Sequence, residues 1–334
     1  MQRSSSVNIV STGLYVPGKP INNRELMELA NIEFDAERTE AKLGIAARHI
    51  AHLRGIEETS ADFAEKAARE AIRAAGIDGN EIGLFIVASD TPEYISPATS
   101  MLVQGRIQGG QRYAGTFDVN ASCSSFVAAL HNAQALLKAD KGIRYACVIG
   151  LYNMPAFVRP GDVFGYSIFA DGAAAFIIED SEKYLGGQLL ADGTQYDYVG
   201  VYSGGTRQPL TPQRYEAGEY GLQLLQRLPG DRNVKLWPEM VDHLLEKISA
   251  QRDDIDHYLF TQINKSVINQ VMEILGQDLS KTTTVMDRYG YTGSACIPMA
   301  FHEAVKEGRI KRGDKVMAVA SGAGLAVAAA SWIY

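Results

Sequence analysis

Apolar and polar positions along the chain follow two rhythms. In Ser60–Ala75 (SADFAEKAAREAIRAA) and Leu236–Ala250 (LWPEMVDHLLEKISA) apolar residues recur at three- and four-residue steps, the pattern of a helix packed on a sheet. Phe126–Lys138 and Ile297–Lys306 are further helix-like runs. Short apolar strand-like runs lie between them: Glu81–Asp90, Tyr145–Gly150, Gly172–Glu179, Asp254–Ile263, Val316–Gly322 and Gly324–Tyr334. Alternating helices and buried strands predict an α/β fold with layered sheets.

The order of these elements repeats. Glu81–Asp90 and Asp254–Ile263 both follow an amphipathic helix, at an offset of about 173 residues. Downstream, Asn120-Ala121-Ser122-Cys123-Ser124-Ser125 leads into one helix, and Thr292-Gly293-Ser294-Ala295-Cys296 leads into its counterpart. A strand ending in glycine closes each series. The expectation is a duplicated α/β fold of layered sheets with an N-terminal half (1–180) and a C-terminal half (181–334). Leu185–Arg232 has less periodicity and contains Gly204-Gly205, Pro209, Pro212 and Pro229. It reads as a strand followed by a long loop insertion near the site.

Composition narrows the classes. The 334 residues are 46% hydrophobic and 21% charged with net charge −7, which fits a soluble globule and gives no basic patch for nucleic acid. No apolar stretch reaches the ~18 residues that cross a bilayer. Met1–Ser6 carries no leader-like pattern. Cys123, Cys147 and Cys296 are odd in number and widely spaced, as expected of reduced thiols in a cytoplasmic protein rather than disulfides or zinc ligands.

Cys123 stands where a strand ends, small residues turn and a helix begins. A helix N-terminus lowers a thiol pKa, and its N–H groups can hold an oxyanion. From the residues alone, such a cysteine serves either as a nucleophile or as a small core residue. Cys147, in an apolar strand, and Cys296, followed by Ile297-Pro298, read as packing residues.

Duplicated halves with a cysteine at the start of a central helix resemble the thiolase superfamily, and within it β-ketoacyl-acyl-carrier-protein synthase III. The resemblance runs from Val7–Gly13 and Tyr15-Val16-Pro17 to the C-terminus. It includes Gly44-Ile45 with Arg48-His49-Ile50, Phe117–Cys123, Asp171-Gly172-Ala173, Asp254-Ile255-Asp256, Asp287-Arg288-Tyr289-Gly290 and Gly322-Ala323-Gly324. It implies a thiolase-like fold layered α-β-α-β-α, in which Cys123 takes an acyl group from coenzyme A or an acyl carrier protein. It implies an oxyanion hole from the backbone N–H groups of Cys123 and Ala323, and Asn264 near the pantetheine arm. Lys42 and Arg48 fall in the region that meets the nucleotide end. A homodimer through strands near Ala114–Val119 is implied too, with no metal or redox cofactor.

Two positions depart from the family pattern. The family's His-Gln-Ala-Asn corresponds to Thr261-Gln262-Ile263-Asn264, and its Gly-Asn-Thr to Gly290-Tyr291-Thr292. The histidine and asparagine that assist a malonyl enolate are therefore Thr261 and Tyr291. Each such donor is typically worth about 3 kcal/mol. His131, His257 and His302 are expected to be surface or core residues rather than substitutes, and His49, His52 and His243 to lie on exposed-looking patterns. Three readings remain. The first is an acyltransferase with an atypical, non-decarboxylating second step. The others are a decarboxylating synthase using Thr261 and Tyr291, and a non-catalytic partner subunit of a heterodimer. Loss of both donors counts against the second and retention of Cys123 against the third, so the first is the expectation.

Overall fold

The computed structural model describes residues 8–334. Val7 of the first matching stretch, and the leader reading on Met1–Ser6, lie outside them. The strands are β1 (Ile9–Tyr15), β2 (Ile21–Asn22), β3 (Ala47–Arg48), β4 (Ile82–Ala88), β5 (Gly115–Val119), β6 (Tyr145–Tyr152), β7 (Gly172–Ile178), β8 (Tyr184–Gln195), β9 (Val199–Val201), β10 (Leu222–Leu224), β11 (His257–Phe260), β12 (Lys315–Gly322) and β13 (Gly324–Ile333). The α-helices are α1 (Asn23–Ala30), α2 (Ala36–Leu43), α3 (Ser60–Ala75), α4 (Thr99–Gln108), α5 (Ser125–Ala139), α6 (Val163–Ile168), α7 (Pro212–Glu216), α8 (Arg232–Lys247), α9 (Lys265–Leu275), α10 (Met286–Tyr289) and α11 (Cys296–Lys306).

Two sheets carry the molecule. One runs β1-β7-β6-β4-β5 and the other β8-β13-β12-β11. Their connectivity matches: β4 is parallel to β6 as β11 is to β12, and β7 and β13 then pair antiparallel to those neighbours. β5 is the extra strand, at the edge of the first sheet. Helices α5 and α11 pack between the sheets, α3 covers the outer face of the first, and α8 with α9 covers the second. The layers are therefore α-β-α-β-α, as the resemblance implies.

Local chemistry explains the ends of these elements. The Thr59 N–H donates to the Asp62 side chain at 2.9 Å, capping α3, and Gly76 ends it at φ +65°. Phe63, Ala64, Ala67 and Ala71 are buried along one face of α3. A Cβ on Gly13 would lie 2.3 Å from the Ala67 carbonyl oxygen, so β1 approaches α3 that closely only as glycine. α8 begins four residues before Leu236, because the polar run Arg232–Lys235, with Val234 alone apolar, already takes helical turns. The Leu185–Arg232 stretch is more ordered than expected. It forms the long strand β8, a β9–β10 ribbon and the short helix α7.

Two surface expectations are corrected. Arg48 is fully buried, not a nucleotide-facing side chain. Its guanidinium donates to Asn23 Oδ1 at 2.6 Å and to the Ser167 carbonyl at 3.0 Å. His49 is likewise buried, with Nδ1 3.2 Å from the Pro17 carbonyl oxygen. Both lie where α1, α6 and α10 close over β3, a tertiary covering that a short local pattern does not reveal. Among the described residues no helix is long and apolar enough to cross a membrane.

Candidate active site

The chain turns from β5 into α5 through Asn120–Ser124. Ser122 sits at φ +50°, in the left-handed region, so the turn is sharp enough to present Cys123 at its apex. The end of β12 presses on this turn. A Cβ on Gly322 would lie 2.7 Å from the Ala121 carbonyl oxygen and 2.8 Å from the Cys123 nitrogen. Only glycine allows that approach, which sets Ala323 beside the cysteine.

Cys123 lies in a largely apolar cavity of about 210 Å³. Met154, Phe164, Phe169, Val199, Leu222 and Leu228 make much of the wall. The Leu185–Arg232 stretch supplies part of it through β9 and β10, as the sequence suggests. The polar lining comes from Asp90, Ser122, Tyr152, Arg227, Arg232, Asn233, Tyr291 and Ser321.

The thiol is not activated in the way a helix N-terminus would predict. Burial, then the nearby Asp90 carboxyl, push the Cys123 thiol up to about 12. The Tyr291 and Tyr152 phenols and the Ser122 hydroxyl beside the sulfur oppose that rise only in part. Desolvation in an apolar cavity is the largest cause of the rise.

Tyr291 is placed by its neighbours. Gly290 stands at φ +63°, where a Cβ would lie 2.8 Å from that of Arg48. The Tyr291 N–H then donates to the Ile168 carbonyl at 3.0 Å. Its ring packs 5.6 Å from Phe169 and 6.2 Å from Tyr152. The phenol thus fills space beside the thiol, and burial holds it protonated well above its ordinary range. Tyr152 ends β6, and its ring lies where any Cβ on Gly293 would have to be.

Thr261 is elsewhere. It is buried and does not line the cavity; its Oγ1 accepts from the Ser321 N–H at 2.9 Å. Asn264 is also outside the lining. Its Oδ1 accepts from the Ser266 and Val267 N–H groups and caps α9. Among the three sequence-proposed side chains other than Cys123, the cavity therefore holds Tyr291 alone. His257 is buried against Thr283 at 2.9 Å, His302 contacts Thr12 Oγ1 and His131 contacts Tyr184. None of these lines the cavity.

Several polar residues were missed by the sequence reading. Asp90 follows β4 and accepts from Ser122 Oγ at 2.8 Å. Tyr152 reaches the thiol from the end of β6. Asn233 accepts from Ser321 Oγ at 3.1 Å, and Ser321 in turn accepts from the Trp237 indole, which orients the amide. The Arg232 guanidinium is held below its usual range by partial burial, against the opposing pull of Tyr291 and Cys123. Asp90 carried a readable signal: it is an acidic residue at the carboxyl end of a central parallel strand, where open α/β sheets place ligands.

A duplicated five-layer α/β fold with a cysteine at the head of a central helix, set in an apolar cavity, defines the thiolase fold. The family model for 3-oxoacyl-[acyl-carrier-protein (ACP)] synthase III matches residues 117–193, and the model of its C terminal part matches 245–334. β-Ketoacyl-[acyl-carrier-protein] synthase III of Symbiobacterium thermophilum is 32% identical over 324 residues, 96% of this chain and 95% of the relative. The enzyme of that name from Aquifex aeolicus is 30% identical, covering 95% of this chain and 96% of the relative. The crystal structure of 3-oxoacyl-[acyl-carrier-protein] synthase III from Aquifex aeolicus superposes with a TM-score of 0.84 at 29% identity, over 98% of this chain and 99% of that one. The chain belongs to the β-ketoacyl-[acyl-carrier-protein] synthase III family of condensing transferases.

Proposed function

We propose that Cys123 takes an acyl group from an acyl-coenzyme A or acyl-carrier-protein thioester and hands it to a second substrate without malonyl decarboxylation. The relatives' names support the donor class. The acyl chain would lie along the apolar wall. The backbone N–H groups of Cys123 and Ala323, side by side at the cavity, are the oxyanion donors of this reading.

One observation carries the second half. Of the two family donor positions, Thr261 lies outside the cavity with its oxygen engaged by Ser321, and Tyr291 presents a bulky phenol against the thiol. An enolate needs donors aimed at its oxygen, and neither an imidazole nor a carboxamide stands at those positions. The acceptor would instead bring its own oxygen, nitrogen or sulfur nucleophile to the acyl carbon. A cytoplasmic homodimer through the open edge of β5 belongs to the same reading.

The test is release of labelled carbon dioxide from malonyl-carrier protein by acyl-loaded enzyme. This reading predicts none above the Cys123→Ala background. Stoichiometric release would establish the decarboxylating synthase in its place.

A further inference from the structure

The Cys123 thiol, held up near 12, needs a proton acceptor before it can attack a thioester. Among the described residues that line the cavity there is no histidine, and Asp90 is the one carboxylate. Ser122 stands between the two. Its Oγ is 2.8 Å from Asp90 Oδ2 and 3.8 Å from Cys123 Sγ. One hydroxyl proton cannot serve both contacts, and the shorter one to the carboxylate takes it. The serine oxygen is then turned to accept from the thiol, at a separation that must shorten as the reaction proceeds. The left-handed backbone at Ser122 holds the hydroxyl in this bridging position. The second carboxyl oxygen, Asp90 Oδ1, is out of reach of solvent and has no hydrogen-bond partner.

We propose that Asp90 is the proton acceptor of this site, reaching Cys123 through Ser122, and that it fits the enzyme to acceptors carrying an O–H or N–H. In acylation the thiol proton moves to Ser122 Oγ as the Ser122 proton moves to Asp90. The sulfur attacks the thioester carbonyl, the carbon–sulfur bond to the donor breaks, and the protonated Asp90 returns the proton to the departing donor thiolate. In the second step the incoming hydroxyl or amine gives its proton to Ser122 Oγ, and the Ser122 proton passes to Asp90, as the incoming atom bonds to the acyl carbon. The Cys123 carbon–sulfur bond then breaks, and the thiolate recovers the proton by the reverse relay. Burial supports this role, because it raises the Asp90 carboxyl and makes it a stronger base than an exposed one.

The second step rests on the transfer reading above; the relay to Cys123 does not. A merely electrostatic Asp90 makes the opposite prediction. Its negative charge raises the thiol pKa, so neutralising it would speed acylation. The experiment is single-turnover acylation by acetyl- and octanoyl-coenzyme A, followed by intact mass, on wild type, Asp90→Asn and Ser122→Ala. Asp90→Ala is assayed with and without formate, and discharge of the loaded enzymes to ethanolamine is followed in the same way. Asp90→Asn keeps the acceptor for Ser122. The expected result is acylation slowed roughly 100-fold or more in Asp90→Asn and in Ser122→Ala with unchanged thermal melting. Formate should restore part of the rate to Asp90→Ala, and wild type should discharge to ethanolamine faster than Asp90→Asn. Equal or faster acylation by Asp90→Asn overturns the relay while leaving the acyl-Cys123 reading intact. Wild-type adduct inert to ethanolamine overturns the acceptor class. No wild-type adduct at all overturns the proposed function itself.

Discussion

The chain carries two cysteines at the heads of the two equivalent helices between its sheets, and they have different fates. Cys123 leads into α5 from a turn with a left-handed residue, is half-buried and faces the cavity. Cys296 opens α11, is fully buried, and its Sγ accepts from the Gln262 N–H at 3.4 Å. The helix start is common to both. So is the close approach of a glycine-bearing strand, Gly322 of β12 at the first turn and Gly150 of β6 at the second. What separates them is the space beyond the sulfur: Cys123 lines the cavity, whereas Cys296 is fully buried and does not. Position on a helix therefore does not make a nucleophile; access and donors around the sulfur do.

The widest gap between the two sulfurs should appear in alkylation by iodoacetamide against pH. The thiolate is the reactive form, so Cys123 labelling should climb about tenfold per pH unit between about pH 9 and 11, still without a plateau. Cys296 should stay unlabelled until the protein unfolds. A plateau for Cys123 near pH 8 would mean an ordinary thiol. The same shift has a sign for stability. The fold favours the protonated thiol, so this contribution is complete below the unfolded thiol pKa near ~8.5 and is lost as pH rises toward about 12.

Gly322→Ala attacks the close contact at the first turn. The added Cβ must displace the Ala121 carbonyl or the Cys123 nitrogen, and a shift of about 1 Å at a reacting atom costs on the order of 100-fold. Single-turnover acylation kinetics check this, and a rate within threefold of wild type would show the approach to be unimportant. Tyr291→Phe removes one phenol beside the sulfur while keeping the ring against Phe169. Loss of one hydrogen bond to a charged group is worth about 1.5 kcal/mol, so acylation should fall about tenfold. An unchanged rate would leave Tyr291 as a wall residue only. The smallest effect is expected from Cys296→Ala: acylation unchanged, and stability lowered by about 1–2 kcal/mol in urea unfolding as a small void opens and the Gln262 N–H loses its acceptor.

Much of the architecture is legible in the chain because its information is local. The Ser60–Ala75 stripe, the glycine-ended strands and the repeated order of helix, strand, turn and helix are all set by neighbours within a few residues. So is the strand–turn–helix setting of Cys123. The partners of the sulfur are not local. Asp90 reaches the turn because β4 lies beside β5 in parallel register, Ala88 against Val119, and Tyr152 reaches it because β6 flanks β4 on the other side. Thr261 stands at the position to which the resemblance gives a site donor, yet β12 lies alongside and its Ser321 N–H takes the hydroxyl. The thiol pKa reverses its expected direction for a related reason. The dipole of α5 follows from a few residues, whereas the desolvation that raises the thiol comes from walls contributed by many separate segments.

The central claim is that Cys123, and not its counterpart, carries the acyl group. It is tested most directly by intact-mass spectrometry of wild type, Cys123→Ala and Cys296→Ala after incubation with a panel of acyl-coenzyme A thioesters. The account predicts one acyl adduct on wild type and on Cys296→Ala, and none on Cys123→Ala. Absence of any adduct on wild type, or an adduct that survives Cys123→Ala, would contradict it.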